Sequence, residues 1–220
     1  MKPDLRLYAL VDPEHTGAHD LVDLTRAVAR GGATLVQLRD KAGSTRQMVE
    51  RARALVIALE GSGAPLIVND RVDVALAAGA GGVHVGQDDM AVADARRLLG
   101  RDAIIGLSIK TDEQARHAPL DLLDYVAIGG VFATVSKDNP DPPVGIEGLR
   151  RIAGIIRARM PGFPVCAIAG IDEGNAAGIV AAGADGVAVI SALSRDSEPS
   201  QAAARLRGVI DGALQQRGTS

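Results

Sequence analysis

Short apolar runs alternate with longer amphipathic segments along almost the whole chain. Eight of the runs are bounded by turn residues and are rich in branched aliphatic side chains, which is typical of buried β-strands. The predicted strands are residues 7–12, 35–40, 65–70, 82–86, 104–109, 124–131, 164–170 and 186–191.

The segments between these runs have helical periodicity. Met48, Ala52, Leu55 and Leu59 recur at intervals of three and four residues, so one face of a helix between the second and third strands would be apolar. Regular alternation of strand and helix indicates βα units with a parallel sheet. Eight such units predict an α/β fold, namely a single-domain (β/α)₈ TIM barrel over residues 1–220, with residues 213–220 as a frayed tail.

Composition narrows the classes of function. The 24 basic residues are scattered through a chain of net charge -3, so we expect no binding of nucleic acid. No apolar run approaches the ~20 residues that span a bilayer, and the start of the chain lacks the pattern of a signal peptide. We therefore expect a cytoplasmic protein without membrane contacts, and the sequence is compatible with a homo-oligomer.

The chain has one cysteine, Cys166, within the apolar run of the seventh strand. A single cysteine excludes an internal disulfide and a zinc site built from several cysteines. We interpret it as a core residue.

The predicted barrel indicates which polar residues lie close together. In this fold the functional residues lie at the carboxyl ends of the strands and in the loops that follow them. Polar residues concentrate at those ends. They are Gln37, Arg39, Asp40 and Lys41 after the second strand, Asn69 and Asp70 after the third, His84, Gln87, Asp88 and Asp89 at the fourth, Ser108 and Lys110 at the fifth, Thr134, Ser136 and Lys137 after the sixth, and Ser191 at the eighth.

Asp70 and Asp89 follow neighbouring strands, and carboxylates so placed suit Mg²⁺, which often keeps sites for water and a substrate phosphate. The alternative is that each aspartate caps the helix behind it. Arg39, Lys41 and Lys137 are predicted to lie at the same end of the barrel as the two aspartates. A diphosphate bound with Mg²⁺ would balance the charges of these cations and carboxylates. A rim of solvated ion pairs remains the alternative for the cations.

A second anion site is suggested by the loops after the seventh and eighth strands, the usual phosphate-binding place in such barrels. Gly170 ends the seventh strand, and Ile190 and Ser191 end the eighth. Two anion sites would imply two phosphorylated substrates.

Seven motifs in this order resemble those of the thiamine-phosphate synthase family. They are QLRDK, VNDRVDVAL, HVGQDDM, IGLSIKT, ATVSKD, AIAGIDEGNA and GADGVAVISAL, within a resemblance that extends from about Tyr8 to Leu193. The resemblance implies a transferase of thiamine biosynthesis with Mg²⁺ as cofactor. Its two small substrates would be a diphosphooxymethyl aminopyrimidine and a thiazole phosphate, joined with release of pyrophosphate.

The resemblance also implies roles for individual residues. The pyrimidine diphosphate would be held by Gln37, Leu38, Arg39, Asp40, Lys41, Asn69, Ser108 and Lys137, of which Arg39 and Lys137 would be catalytic. The thiazole phosphate would be held by Thr134, Val135, Ser136, Gly170, Ile190 and Ser191. The metal ligands would be Asp70 and Asp89, with Asp88 in a variable place of the motif. His84 is given no role.

The chain departs from the family pattern at Gly130, Ser136 and Ala169, which stand where proline, threonine and glycine are common. The family's dissociative reaction needs no general base. Residues 136–145 are predicted to form a lid that keeps water out, with an ordinary surface loop as the alternative. Two alternatives remain open: a thiazole tautomerase-like paralogue, and a non-catalytic barrel that binds phosphate ligands.

Overall fold

Eight parallel strands close into a barrel in a computed structural model that describes residues 2–134 and 142–218. Each strand pairs with the next along the chain, and the last pairs with the first. The strands are β1 (Leu7–Val11), β2 (Leu35–Leu38), β3 (Leu66–Asn69), β4 (Gly82–Val85), β5 (Ile104–Ile109), β6 (Tyr125–Gly129), β7 (Val165–Ile168) and β8 (Gly186–Val189). The predicted TIM barrel is confirmed.

Helices cover the outside of the barrel between successive strands. They are α1 (Leu21–Arg30), α2 (Thr45–Ala58), α3 (Val72–Ala78), α4 (Val92–Leu99), α5 (Asp112–His117), α6 (Gly145–Arg159), α7 (Ala176–Ala181), α8 (Ser191–Ser194) and α9 (Pro199–Gly218), with a 3₁₀ turn at Leu120–Leu122. Capping boxes determine where two of the helices begin. Ser44 and Gln47 form one at α2, and Thr111 and Gln114 form another at α5.

Alternate side chains of each strand face opposite sides of the barrel wall, which gives two apolar layers. The outward residues pack with the helices in the larger cluster. The inward residues fill the barrel interior, where Leu10, Leu35, Ile67 and Ala188 pack together. Cys166 belongs to this inner layer and is fully buried, as predicted.

The eight predicted strands are all present, but most of them end earlier than predicted. The residues that follow β3 and β7 show the physical reason, because Asp70 has φ 61° and Ala169 has φ 85°. Left-handed backbone cannot continue a strand. The polar residues at the predicted strand ends therefore belong to the loops.

The predicted frayed tail is wrong for residues 213–218, which belong to α9. Ala213 is buried, and the Arg217 guanidinium donates hydrogen bonds to the carbonyl oxygens of Val180, at 3.1 Å, and Ala184, at 2.6 Å. The same guanidinium pairs with Asp185 at 2.7 Å. These contacts anchor the last turns to the barrel. Residues 219–220 lie outside the described part of the chain.

Within residues 2–134 and 142–218, none of the helices has the length and apolar character needed to cross a membrane.

Candidate active site

A cavity of about 880 Å³ opens at the carboxyl ends of the strands. It is lined by most of the site residues predicted from the sequence, on loops from opposite sides of the barrel. These are Gln37, Arg39, Lys41, Asn69, Asp70, Asp89, Ser108, Thr134, Gly170, Ile190 and Ser191. Val135, Ser136 and Lys137, together with most of the predicted lid, lie outside the described residues.

Leu38 and Asp40 do not line the cavity. They alternate with Gln37 and Arg39 along the chain, so their side chains point away from the barrel axis. Leu38 packs in the layer between strands and helices. The Asp40 carboxylate pairs with Arg51 at 2.5 Å and accepts a hydrogen bond from the Gly43 amide at 2.8 Å. The two side chains thus face away from the cavity, and the Asp40 side chain stabilises the loop after β2. The role of the segment Gln37 to Lys41 in holding the diphosphate remains a prediction.

Asp70 and Asp89 form a carboxylate pair at one side of the cavity. The pKa of Asp89 is raised, first by partial burial and then by contact with the Asp70 carboxyl, against the opposing effect of a hydrogen bond from the Gly86 amide. That amide donates to Oδ2 of Asp89 at 2.7 Å. Two carboxylates drawn together in this way favour a bound cation.

The alternative that these aspartates cap the following helices does not agree with the structure. The N-cap positions of α3 and α4 are Arg71 and Ala91, and neither helix has a side-chain capping hydrogen bond. Asp70 is held differently: its amide donates to the His84 carbonyl oxygen at 2.7 Å, and its carboxylate forms an ion pair with Lys41.

The donor set fits Mg²⁺ of the kind that shares its coordination with a substrate. Among the described residues there is no cluster of three or more side chains suited to a metal. Mg²⁺ is commonly bound by one or two carboxylates, with waters and substrate phosphates completing its octahedron. Asp70 and Asp89 provide the two carboxylates, beside the cationic Lys41.

Arg39 is fixed in the cavity wall by a residue that the sequence reasoning gave no role. Its guanidinium donates to the carboxylate of Asp12, whose side chain is fully buried, while the Arg39 side chain is 13% exposed. Asp12 also accepts a hydrogen bond from the Glu14 amide at 2.9 Å. A charge-assisted hydrogen bond to a buried partner restrains the direction in which the guanidinium points.

The opposite side of the cavity has close backbone packing. Gly170 has φ 67°, and a Cβ atom there would lie 2.6 Å from the Ala133 carbonyl oxygen, so only glycine fits. Thr134 follows Ala133 on the loop after β6, and Ile190 and Ser191 begin the short helix after β8. Ala169, one of the departures, adopts a left-handed conformation that favours glycine.

A chain of hydrogen bonds crosses the floor of the cavity. The Gln37 side-chain amide donates to the Tyr8 hydroxyl, which lies 2.8 Å from the Tyr125 hydroxyl. The Tyr125 hydroxyl lies 2.9 Å from Nδ1 of His84, and Nε2 of His84 lies 2.9 Å from Oγ of Ser108. Burial raises the pKa of both tyrosines, so both remain protonated phenols. The sequence reasoning missed both tyrosines.

Comparisons with known proteins agree with one another. The family model for thiamine monophosphate synthase matches residues 7–193. The thiamine-phosphate synthase of Agrobacterium fabrum is 52% identical over 98% of each chain, and that of Moorella thermoacetica is 43% identical over 94% of this chain and 97% of its own. The solved structure of thiamine phosphate pyrophosphorylase from Pyrococcus furiosus superposes with a TM-score of 0.84 at 35% identity, covering 97% of this chain and 98% of its own. The chain therefore belongs to the thiamine-phosphate synthase family, the transferases of thiamine biosynthesis.

Proposed function

We propose that this chain joins 4-amino-2-methyl-5-(diphosphooxymethyl)pyrimidine to a thiazole phosphate, giving thiamine phosphate and pyrophosphate with Mg²⁺ as cofactor. The observation that carries the proposal is the arrangement of the cavity. A carboxylate pair with adjacent cations occupies one side, and the glycine-lined wall with the start of α8 occupies the other. Two anionic substrates could thus be bound together with their reacting ends toward each other.

In this proposal the pyrimidine diphosphate lies against Gln37, Arg39, Lys41, Asn69 and Ser108. Lys137, which is outside the described residues, is assigned to the same substrate. Asp70 and Asp89 would hold Mg²⁺, and this ion, when bound, neutralises charge on the departing diphosphate. The guanidinium of Arg39 is already oriented by Asp12, so little reorganisation is needed when charge develops on the leaving group.

The thiazole phosphate lies on the other side, with its phosphate against Thr134, Val135, Ser136, Gly170, Ile190 and Ser191. Close backbone approach at Gly170 would allow amide groups to reach the phosphate oxygens. The thiazole nitrogen would then face the methylene carbon of the pyrimidine.

The proposed reaction is a substitution at that methylene carbon. The carbon–oxygen bond breaks, both bonding electrons leave with pyrophosphate, and the positive charge spreads into the aminopyrimidine ring. The lone pair of the thiazole nitrogen then forms the new carbon–nitrogen bond. No proton has to be removed, and binding both partners in one cavity supplies much of the rate enhancement by orientation.

We further propose that the enzyme acts in the cytoplasm.

The direct test is release of pyrophosphate when both substrates and Mg²⁺ are supplied together. We expect release that requires both substrates and stops when the metal is chelated. Binding of either substrate without turnover would contradict the proposal and favour a non-catalytic barrel.

Lys137→Ala tests the catalytic contribution of the loop after β6. If the ammonium stabilises charge on the departing diphosphate, kcat should fall about 100-fold with a much smaller change in KM, as for the loss of one electrostatic donor. Arg46→Ala, which removes a cation that is not among the cavity-lining residues, is the control. A folded Lys137→Ala enzyme with wild-type kcat would remove Lys137 from the mechanism.

A further inference from the structure

The hydrogen-bonded chain in the floor of the cavity joins two residues that the proposed function places on the same substrate. Gln37 and Ser108 both line the cavity, on β2 and β5. The three side chains between them are buried like Gln37 itself: Tyr8 is 1% exposed, Tyr125 0% and His84 7%. Tyr8 and His84 also line the floor of the cavity. A fully connected buried polar network fixes its members in defined orientations.

The number of protons that each group carries determines which member of each hydrogen bond is the donor. A phenol has one proton to donate, and a neutral imidazole has one N–H group. With Nε2 of Gln37 as the donor to Tyr8, proton counting would direct the proton of Tyr8 to Tyr125 and that of Tyr125 to Nδ1 of His84. In that arrangement His84 would carry its proton on Nε2, which lies 2.9 Å from Oγ of Ser108, and would donate to that oxygen.

We propose that this hydrogen-bonded network positions Gln37 and Ser108 so that the cavity selects the aminopyrimidine by its hydrogen-bonding pattern. With its amide nitrogen committed to Tyr8, Gln37 presents its carbonyl oxygen to the cavity as an acceptor. Ser108 accepts from His84 and therefore presents its hydroxyl proton to the cavity as a donor. The inference rests on the proposed function and assigns these two ends to the pyrimidine substrate.

An acceptor at Gln37 matches the exocyclic amino group of the pyrimidine, and a donor at Ser108 matches an acceptor atom of the same substrate. Reversing one end would reverse the other, because each link would have to exchange donor for acceptor. Reversal would place an amide N–H of Gln37 against the amino group, and such a mismatch leaves buried donors unpaired. The hydrogen-bonded network thereby couples the orientation of Gln37 on one side of the cavity to that of Ser108 on the other.

The same arrangement favours the reaction. As the bond to pyrophosphate breaks, positive charge spreads onto the exocyclic nitrogen, and its N–H groups become stronger donors. A carbonyl oxygen of Gln37 fixed beside them interacts more strongly with the transition state than with the ground state. Tyr8, Tyr125 and His84 act through Gln37 and Ser108, so they are positioning residues.

The test compares two inhibitors rather than rates alone. Both are analogues of the pyrimidine diphosphate in which the cleavable carbon–oxygen bond is replaced by a carbon–carbon bond. One has the 4-amino group, and the other has a 4-oxo group, which accepts where the amino group donates. Their inhibition constants are measured against pyrophosphate release.

We expect wild-type protein to prefer the amino form about 100-fold, and Tyr8→Phe to reduce that preference at least about tenfold, because the Gln37 amide is then free to rotate. Tyr125→Phe removes the next link and should have the same effect, so it replaces Tyr8→Phe if that variant does not fold. Thr25→Val is the matched control. It removes a buried hydroxyl that bonds the Leu21 carbonyl oxygen in α1, and the preference should be unchanged.

Folded tyrosine variants that retain the wild-type preference would overturn the inference. Equal weakening of both inhibitors would also overturn it, because a merely structural role predicts that result. Failure of the proposed function is distinguishable, since wild-type protein would then release no pyrophosphate from the reactive substrates.

Discussion

Gly106 on β5 lies directly against the ring of Tyr125 on β6. A Cβ atom at Gly106 would lie 2.1 Å from Cζ and 2.4 Å from the hydroxyl oxygen of Tyr125. In the sheet register Gly106 is the neighbour of Tyr125 on one side and of His84 on the other. The missing side chain on the middle strand is what allows the phenol to cross β5 and meet the imidazole.

Gly106→Ala should therefore damage the floor of the cavity. The added methyl group would force the Tyr125 ring away from His84, and overpacking of this kind costs about 1–3 kcal/mol in the free energy of unfolding. We also expect kcat/KM for the pyrimidine substrate to fall. Urea unfolding and steady-state kinetics measure the two effects.

Gly154→Ala is the matched control for that substitution. Gly154 lies in α6, and a Cβ atom there would have no neighbour within 4 Å. Alanine in a helix is favoured over glycine by up to about 1 kcal/mol, so this variant should be at least as stable as wild type. If both variants behaved alike, the steric account of Gly106 would be wrong.

Ala169→Gly should stabilise the protein. The φ of 85° costs an alanine about 1–2 kcal/mol, whereas glycine adopts it freely and loses about 0.5–1 kcal/mol through greater freedom of the unfolded chain. The net gain in the free energy of unfolding is expected to be about 1 kcal/mol. Ala77→Gly, at an exposed position of α3, should have the opposite sign. Thermal and urea unfolding of the two variants decide the matter.

Asp88 and Asp89 both line the cavity, but only Asp89 contacts the Asp70 carboxyl. Asp89→Asn should raise the Mg²⁺ concentration needed for half-maximal activity sharply, while Asp88→Asn should change it little. Calorimetric titration with Mg²⁺ in the presence of the nonreactive amino analogue provides a readout that does not depend on turnover. Similar effects from the two substitutions would contradict the assignment of the metal ligands.

Asp12→Ala should impair both folding and catalysis, because it leaves Arg39 without its buried partner. Breaking a buried ion pair typically costs about 3–5 kcal/mol. Because the guanidinium also loses its restraint, we expect kcat to fall in whatever fraction remains folded. Chemical denaturation, followed by kinetics on folded protein, measures both losses.

The control for Asp12 is Glu147→Ala, which removes the partner of Arg150 on the surface of α6. Exposed pairs contribute about 0–1 kcal/mol, so stability should hardly change. Comparable losses from the two substitutions would show that burial of the Asp12 pair is irrelevant.

The barrel and most of the cavity lining could be predicted from the sequence, since strand spacing and the carboxyl ends of the strands define both. What could not be read was the partner of each aspartate. Asp12 and Asp40 each follow an apolar strand, yet Asp12 orients Arg39 in the cavity wall and Asp40 stabilises a loop through Arg51. Their difference arises from the face on which each side chain emerges. For Leu38 and Asp40, the alternation of side chains along a strand would have predicted that they face away from the cavity, because both alternate with Gln37 and Arg39.

The tyrosines were harder to predict because their roles depend on distances across the barrel. Tyr8 and Tyr125 are 117 positions apart along the chain, and their rings meet edge to face with centroids 5.8 Å apart. Alone, each is an ordinary inward residue of a buried strand. Only closure of the barrel shows that they connect Gln37 with His84.

The chain contains two tyrosines and no tryptophan, and both tyrosines lie in the floor of the cavity. All of the tyrosine emission of the unlabelled protein therefore originates beside the proposed substrate-binding cavity. Ultraviolet fluorescence can follow occupancy of that region in real time, without a dye or a coupled enzyme and without background from distant chromophores of the same kind.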